Sequence, residues 1–251
     1  MGIRLSTPSV DVPALDWRVV RNRVNKLWVA DDAPHHSIIS ETRGGKSYLI
    51  TRGLLPLCEQ DRVLIIDNKG GDPTLRGYGK PVRKLSRFDR AFRGNKPRSD
   101  WYRLIVHEDY KSGREQVRQI LSQIYDEGNW IVVMDELRAV TASRPPNLGL
   151  EGEVGRLYLR GGSRGISVIS STQEPVWVPS FFYSQASFAW IGRVEDEERQ
   201  KRLRQIAGLT RDYMPVISST PRRHWLYVDT LEDEKFIAQT TVSFSQRGKV
   251  T

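Results

Sequence analysis

Cysteine and long apolar runs are scarce in this sequence. Cys58 is the single cysteine among 251 residues, so an internal disulfide and a cysteine-based zinc site are both excluded. No run approaches the roughly eighteen consecutive apolar residues of a membrane span, and the start of the sequence, Met1–Arg4, lacks the apolar centre of a signal peptide. We therefore expect a soluble cytoplasmic protein with no membrane span.

Acidic residues are outnumbered in this chain. There are 39 lysine and arginine residues against 30 aspartate and glutamate residues, which gives a formal net charge of +9. The imbalance is strongest between Arg76 and Arg103, where ten basic residues are opposed only by Asp89 and Asp100. Such a segment favours a polyphosphate partner, since each neutralised phosphate releases a counterion. A solvated basic loop is the alternative interpretation.

Short apolar runs alternate with helical patterns along most of the chain. We predict strands in the apolar runs that begin at Ser37 and that cover Arg62–Asp67, Trp101–His107, Asn129–Asp135, Ile166–Thr172 and Phe188–Val194. Helices are predicted at Tyr48–Leu57, at Gly113–Glu127 with Ser112 as its cap, at Glu151–Leu159 and at 195–207. This alternation predicts an α/β fold, in which a mostly parallel sheet carries helices on both faces.

The two ends of the chain depart from this alternation. Residues 1–35 are predicted to be an N-terminal extension with two short strands, Trp17–Val20 and Lys26–Ala30. Residues 36–215 form the expected core, and residues 216–251 add a C-terminal β-hairpin, His224–Asp229 with Phe236–Phe244, to the same domain. Within the core, Arg138–Leu150 is predicted to be a loop, because it contains Arg-Pro-Pro-Asn.

A phosphate-binding loop is predicted directly after the first strand of the core. Backbone N–H groups of a glycine-containing turn, together with a helix amino terminus, bind phosphate. Lys46 would reach the β- and γ-phosphates of a nucleotide, and the Ser47 hydroxyl would ligate Mg²⁺. Ser40 stands where the usual pattern G-x-x-x-x-G-K-[ST] has its first glycine, and an ordinary basic loop is the alternative. The candidate ATP-binding residues are Thr42, Arg43, Gly44, Gly45, Lys46 and Ser47.

Polar residues with catalytic chemistry follow two further apolar strands. Asp135 and Glu136 follow Ile131–Met134, and in a nucleotide-hydrolysing sheet the first acid holds the Mg²⁺ shell while the second polarises the attacking water. Gln173 follows the strand Ile166–Thr172, and its amide offers both a donor and an acceptor to the γ-phosphate and the water. Because ligands bind at the carboxyl ends of the strands in such folds, we expect these side chains to meet.

Four segments, taken in order, resemble motifs of the FtsK–HerA superfamily of DNA-pumping ATPases. They are the strand leading into Ser-x-Thr-Arg-Gly-Gly-Lys-Ser, the Asp-Asn-Lys-Gly-Gly-Asp segment 67–72, the strand ending in Asp135-Glu136, and the Arg-Gly-Ile…Thr-Gln-x-Pro segment 164–175. The resemblance covers about residues 36–195 and implies a P-loop NTPase core of the RecA-like (ASCE) type that uses ATP and Mg²⁺. The chain lacks a HerA-like barrel, a DNA-reading winged helix and a membrane anchor, which favours a small motor such as a viral genome-packaging ATPase.

The resemblance also implies partners. Motors of this kind resemble one another in working as rings, usually hexamers, on double-stranded DNA, and an arginine of one subunit completes the neighbour's site. The matching positions are Arg160 and Arg164, with Arg156 as a third. The candidate DNA contacts are Arg83, Lys84, Arg87 and Arg144. If the protein is viral, we expect it in the host cytoplasm, associated with a capsid, and docked on a capsid vertex or on a membrane-associated protein.

Two alternatives remain open from the residues. The segment Arg-Gly-Gly-Lys-Ser also resembles the loop of tailed-phage terminase ATPases, although the last hundred or so residues offer no acidic cluster for the nuclease that terminases normally carry. A nucleotide-binding switch or assembly scaffold with little turnover is the second alternative. Gln173 and Glu136 argue against it, because a protein that only binds nucleotide needs neither.

Overall fold

The computed structural model describes residues 10–29, 33–58, 61–68, 73–83, 101–231 and 236–242. The strands are β1 His36–Ile39, β2 Val63–Asp67, β3 Lys80–Val82, β4 Trp101–Ile105, β5 Ile131–Met134, β6 Ser167–Thr172, β7 Phe188–Ile191, β8 His224–Asp229 and β9 Phe236–Thr241. The α-helices are α1 Trp17–Val29, α2 Lys46–Tyr48, α3 Tyr110–Glu127, α4 Leu137–Thr141, α5 Glu151–Arg160, α6 Phe181–Ser184, α7 Glu197–Leu203 and α8 Met214–Ser219. Helix α2 continues as a π-helix, Leu49–Leu54, and a 3₁₀ turn, Leu55–Leu57.

The strands form one sheet in the order β3-β4-β2-β5-β6-β1-β7-β8-β9. Neighbouring strands are parallel from β3 through β7, whereas β8 pairs antiparallel with β7 and with β9. The predicted mostly parallel α/β sheet and its C-terminal hairpin are therefore confirmed. All of the parallel strands end at one edge, which we call the carboxyl edge, and they begin at the opposite, amino edge.

Apolar side chains cover both faces of the sheet, because successive residues of a strand point to opposite faces. In β2, Ile65 belongs to the core beneath α1 and α2, and Leu64 belongs to the core beneath α3 and α5. All five residues of β2 are buried, as the continuous apolar run predicts for a strand covered on both sides. The prediction of helices on both faces is confirmed.

The predicted strands near the amino end are wrong, because Trp17–Val29 is one helix. Trp17, Val20 and Val24 recur at helical spacing, and all three are buried in the core beneath α1. The Trp17 ring lies 5.9 Å from that of Trp190 in β7. This face of α1 therefore packs on the sheet as a single apolar stripe, which two short strands could not provide.

Three smaller predictions also differ from the structure. Helix α3 begins three residues earlier than expected, and its cap is Asp109, whose carboxylate accepts from the backbone N–H of Ser112 at 2.8 Å. The segment predicted as the loop Arg138–Leu150 begins inside α4, since the apolar residues Leu137 and Val140 bury one helical face. The charged helix is confined to α7, and Asp196 caps it.

Two buried histidines, His35 and His36, lie at the start of β1. The His35 Nε2 lies 3.1 Å from the Tyr158 carbonyl, and the Val168 N–H donates to His35 Nδ1 at 3.1 Å. These contacts fit the neutral ring, with one donor and one acceptor nitrogen. Burial lowers the pKa of His35 to about 4, against a weaker opposing effect of the Tyr158 carbonyl. Burial also holds the pKa of His36 well below its usual value.

Two sequence predictions concern the chain as a whole. The division into residues 1–35, 36–215 and 216–251 stays a prediction. Among the described residues, no helix combines the length and the apolar character that crossing a bilayer requires.

Candidate nucleotide-binding site

The predicted phosphate loop lies at the carboxyl edge, between the end of β1 and the start of α2. Gly45 has φ 100° and directly precedes α2, so a residue without a Cβ is favoured there. A side chain at Gly45 would also meet the Cγ of Arg223 at 3.3 Å. The loop thus turns sharply into a helix start, which is the kind of position at which backbone N–H groups bind anions.

Ser40 fits in place of the usual first glycine because two glycines leave room for its side chain. A Cβ added at Gly44 would lie 1.8 Å from the Ser40 hydroxyl oxygen, and one at Gly192 would lie 2.5 Å from it. Ser40 is buried, and within the described part of the chain its hydroxyl has no hydrogen-bond partner. The departure from the usual pattern is therefore compensated by Gly44 in the loop and by Gly192 after β7.

Lys46 is buried, and its side chain hydrogen-bonds to the backbone of the same loop. Its Nζ donates to the backbone carbonyl of Ser40 at 2.7 Å and to that of Glu41 at 2.9 Å. A buried ammonium with two carbonyl contacts keeps its charge close to the loop backbone, where phosphates would bind.

Asp135, directly after β5, is hydrogen-bonded to helix α2 and to strand β6. The Ser47 hydroxyl donates to Asp135 Oδ2 at 2.9 Å, and the Ser171 hydroxyl lies 3.3 Å from Asp135 Oδ1. Oxygen donors such as a serine hydroxyl and a carboxylate are the ligands that Mg²⁺ prefers. Ser47 and Asp135 are thus chemically suited to a magnesium ion, and their role as its ligands stays a prediction. The sequence pattern gives no indication of this hydrogen-bonding role for Ser171.

Glu136 is the second residue after β5, and its carboxyl is close enough to the loop lysine to feel its charge. Its Oε1 accepts from the Thr172 hydroxyl at 3.3 Å, and its carbonyl lies 3.4 Å from Asn68 Nδ2. Burial raises the pKa of the Glu136 carboxyl; Lys46 opposes that rise, and the charge of Asp135 adds to it. A carboxylate whose pKa is raised accepts a proton more readily, which suits a general base.

Gln173 reaches the phosphate loop from the end of β6. Its Oε1 accepts from the Thr42 hydroxyl at 2.7 Å. This contact leaves the amide nitrogen as the donor at the same position. The structure therefore brings Thr42, Lys46, Asp135, Glu136 and Gln173 together at one edge of the sheet, from the ends of β1, β5 and β6.

The candidate arginines lie at the other edge. Helix α5 and the turn after it precede β6, so Arg160 and Arg164 lie at the amino edge, about 20 Å from the carboxyl edge by the length of a six-residue strand. Arg164 donates to the Tyr125 carbonyl at 3.1 Å, and its guanidinium lies 4.6 Å from the Tyr125 ring. The Arg156 guanidinium lies 3.6 Å from the centre of the same ring. Arg160 is exposed at the end of α5.

The candidate DNA contacts are only partly described. Arg83 and Arg144 are exposed, whereas Lys84 and Arg87 lie outside the described residues. Arg103, the last cation of the basic segment, is buried in β4 at 3.7 Å from Asp67 of β2. It is therefore part of the interior and not of a basic surface.

A basic turn that the sequence did not single out lies beside the phosphate loop. Arg222 and Arg223 lie between α8 and β8, and the Arg223 guanidinium is 5.7 Å from the Tyr48 ring. Arg222 also lines a cavity of about 220 Å³. The other residues lining it are Ser40, Glu41, Thr42, Gly44, Arg193, Glu195 and Pro221. Only the pairing of β8 with β7 brings this turn here, so no local pattern could have indicated it.

No family model matches the sequence, and no curated protein matches it. Solved structures do match the fold. The genome packaging NTPase B204 from Sulfolobus turreted icosahedral virus 2, in complex with AMPPCP, aligns with a TM-score of 0.63 at 14% identity, over 84% of this chain and 100% of that one. VirB4 of Thermoanaerobacter pseudethanolicus aligns with a TM-score of 0.61 at 9% identity, over 86% of this chain and 91% of that one.

A third similar structure is the pCW3 conjugation coupling protein TcpA with ATPγS. It aligns with a TM-score of 0.56 at 15% identity, over 83% of this chain and 60% of that one. The structural neighbours are P-loop ATPases of the FtsK–HerA type, so this chain has their fold.

Proposed function

We propose that this chain is an ATP-hydrolysing motor that moves double-stranded DNA, works as a homo-oligomeric ring of six copies, and packages a genome. The observation that carries this proposal is the meeting of Lys46, Ser47, Asp135, Glu136 and Gln173 at one sheet edge. Nucleotide binding alone would need the first three of these residues, whereas hydrolysis needs all five.

ATP would bind with its phosphates against the loop 40–47. Lys46 would exchange its contacts with the Ser40 and Glu41 carbonyls for the β- and γ-phosphates. Ser47 and Asp135 would hold Mg²⁺, which neutralises charge on the phosphate oxygens when it is bound.

Hydrolysis would then use the two remaining side chains. Gln173, fixed by Thr42, would orient a water molecule in line with the γ-phosphorus, and Glu136 would accept the proton of that water. The new bond forms between the water oxygen and phosphorus, while the bond from phosphorus to the oxygen of ADP breaks. The raised pKa of Glu136 suits this transfer.

An arginine of a neighbouring copy would complete the site. Arg164 is engaged by the carbonyls of Tyr125 and Asp126 at the end of α3, where a cation also stabilises the helix dipole. Arg160 is exposed on the same side of the chain and is the better candidate for stabilising the transferring phosphoryl group. Duplex DNA would contact exposed cations such as Arg83 and Arg144.

The experiment is the rate of phosphate release from Mg·ATP with and without duplex DNA. We expect duplex DNA of any sequence to stimulate turnover several-fold, and the stimulation to fall steeply as salt rises, because phosphate contacts dominate. Lys46→Ala should abolish turnover, whereas Lys26→Ala on the exposed side of α1 should not change it.

Other results would favour the alternatives. Turnover that ignores DNA would contradict the motor. ATP binding without turnover would favour an assembly scaffold, and cutting of the DNA would favour a terminase.

A further inference from the structure

Helix α7 is tied to the segment that carries Gln173. The Arg199 guanidinium donates through Nη2 to both carboxylate oxygens of Glu174, at 2.8 and 3.0 Å. The two side chains are 28% and 34% exposed, so solvent screens this pair only in part. An arginine held by both oxygens of a carboxylate restricts the direction as well as the distance of its partner.

The same segment is bonded to the proposed general base. The Glu174 backbone N–H donates to the Thr172 hydroxyl at 3.0 Å, and that hydroxyl donates to Glu136 at 3.3 Å. Thr172 is fully buried, so its hydroxyl has little choice of other partners. A continuous series of bonds therefore runs from Arg199 through Glu174 and Thr172 to Glu136.

Helix α7 holds the far end of this segment as well. Arg202 donates to the Val178 carbonyl at 3.2 Å, one helical turn beyond Arg199. The helix itself is fixed at its start, where Asp196 accepts from the Arg199 N–H at 2.9 Å. Residues 174–178 are therefore held at both ends by a capped helix, directly after the residue that contacts Thr42.

We propose that Arg199 is a positioning residue for ATP hydrolysis, which through Glu174 fixes Gln173 and, by way of Thr172, the Glu136 carboxylate. In this proposal Arg199 acts only through its protein partners. The inference rests on the proposed function, because its catalytic consequence requires that the chain hydrolyse ATP. Misplacing a catalytic group by about 1 Å can cost about a hundredfold in rate, so a tie of this kind has a large effect on turnover.

The kinetic test compares Arg199→Met with Lys201→Met. Lys201 lies on the same helix and also forms an ion pair, with Glu198, but both side chains of that pair are largely exposed to solvent. We expect Arg199→Met to lower kcat at least tenfold and to leave the KM for ATP within about twofold, because the phosphate loop is untouched. Lys201→Met should change neither value. The reversed pair Glu174→Arg with Arg199→Glu should recover part of the lost kcat.

A second measurement does not depend on turnover. Hydrogen–deuterium exchange of the backbone at 173–178 should be faster in Arg199→Met and in Glu174→Gln than in the parent, and unchanged in Lys201→Met. Unchanged exchange in Arg199→Met would overturn the proposal, and so would an unchanged kcat. The proposal would also be overturned if the whole loss of kcat/KM in Arg199→Met came from a higher KM for ATP. If the exchange rates differ between the variants and the parent as expected, but the parent does not hydrolyse ATP, only the proposed function is contradicted.

Discussion

Acid should destabilise this protein through His35, at the base of the strand that leads into the phosphate loop. The folded protein holds the neutral ring between the Tyr158 carbonyl and the Val168 N–H, and its pKa of about 4 compares with 6.5 for an unburied histidine. Between these two values the unfolded chain binds a proton that the folded chain does not. Stability from this group is therefore complete above pH 6.5, declines as the pH falls, and is lost below about pH 4.

The size of the effect follows from the two pKa values. One pH unit between them corresponds to about 1.4 kcal/mol of unfolding free energy, so His35 should account for about 3 kcal/mol between pH 7 and pH 4. This is a large share of the 5–15 kcal/mol, roughly, that keeps domains folded.

The assay is urea unfolding of the parent and of His35→Gln at several pH values, followed by tryptophan fluorescence. Glutamine cannot take up a proton, and His36 remains in both proteins, so their difference in unfolding free energy isolates His35. That difference should shrink by about 3 kcal/mol from pH 7 to pH 4. His224→Gln, at an exposed histidine, should follow the parent. A difference between parent and His35→Gln that does not vary with pH would refute the reasoning.

Three further predictions concern the proposed site. Glu136→Gln should bind ATP with parental affinity and hydrolyse it at least a hundredfold more slowly, since an amide cannot accept the proton; parental phosphate release would place the base elsewhere. Arg160→Ala alone should be inactive, but mixing it with Lys46→Ala should restore some turnover, because mixed rings contain intact interfaces; rings that form and show no activity at any ratio would count against Arg160. Gly44→Ala should unfold at a lower temperature and bind ATP poorly, owing to the 1.8 Å approach to Ser40, and adding Ser40→Gly should recover much of both losses; a single variant with parental melting and binding would contradict this packing.

The sequence predicts those parts of the fold in which one segment determines its own structure. Strand β2 is a run of five apolar or buried residues, and β5 is a run of four. Each run therefore predicts a strand without information from the rest of the chain. Helix α1 cannot be predicted in this way, because the four residues from Trp17 to Val20 fit a strand as well as a helix. The helical spacing of Trp17 and Val20 becomes visible only together with Val24. Packing of all three residues on the sheet then favours the helical period over the strand period.

The candidate site shows the same division. Lys46, Asp135 and Gln173 could be placed at one edge from the sequence, because each follows an apolar strand and parallel strands end together. The bond from Ser171 to Asp135 could not, since it depends on β6 lying next to β5 rather than elsewhere in the sheet. Arg199 lies 25 residues from its partner Glu174 in the chain, and its neighbours Glu198 and Lys201 follow the same charge pattern with no comparable role.

The position of the arginines bears on how copies of the chain would assemble. The proposed nucleotide site occupies the carboxyl edge of the sheet, whereas Arg160 lies at the amino edge of the same chain. A single copy therefore cannot bring this arginine to its own site without unfolding α5 or β6. An interface with two-fold symmetry can pair the two edges, because each copy offers both edges to the other, but it closes after two copies. A head-to-tail interface also pairs them, and a head-to-tail interface that closes on itself makes a ring. The separation of the two edges thus requires the arginine of the proposed motor to come from another copy, and a head-to-tail ring is one arrangement that would supply it at every site.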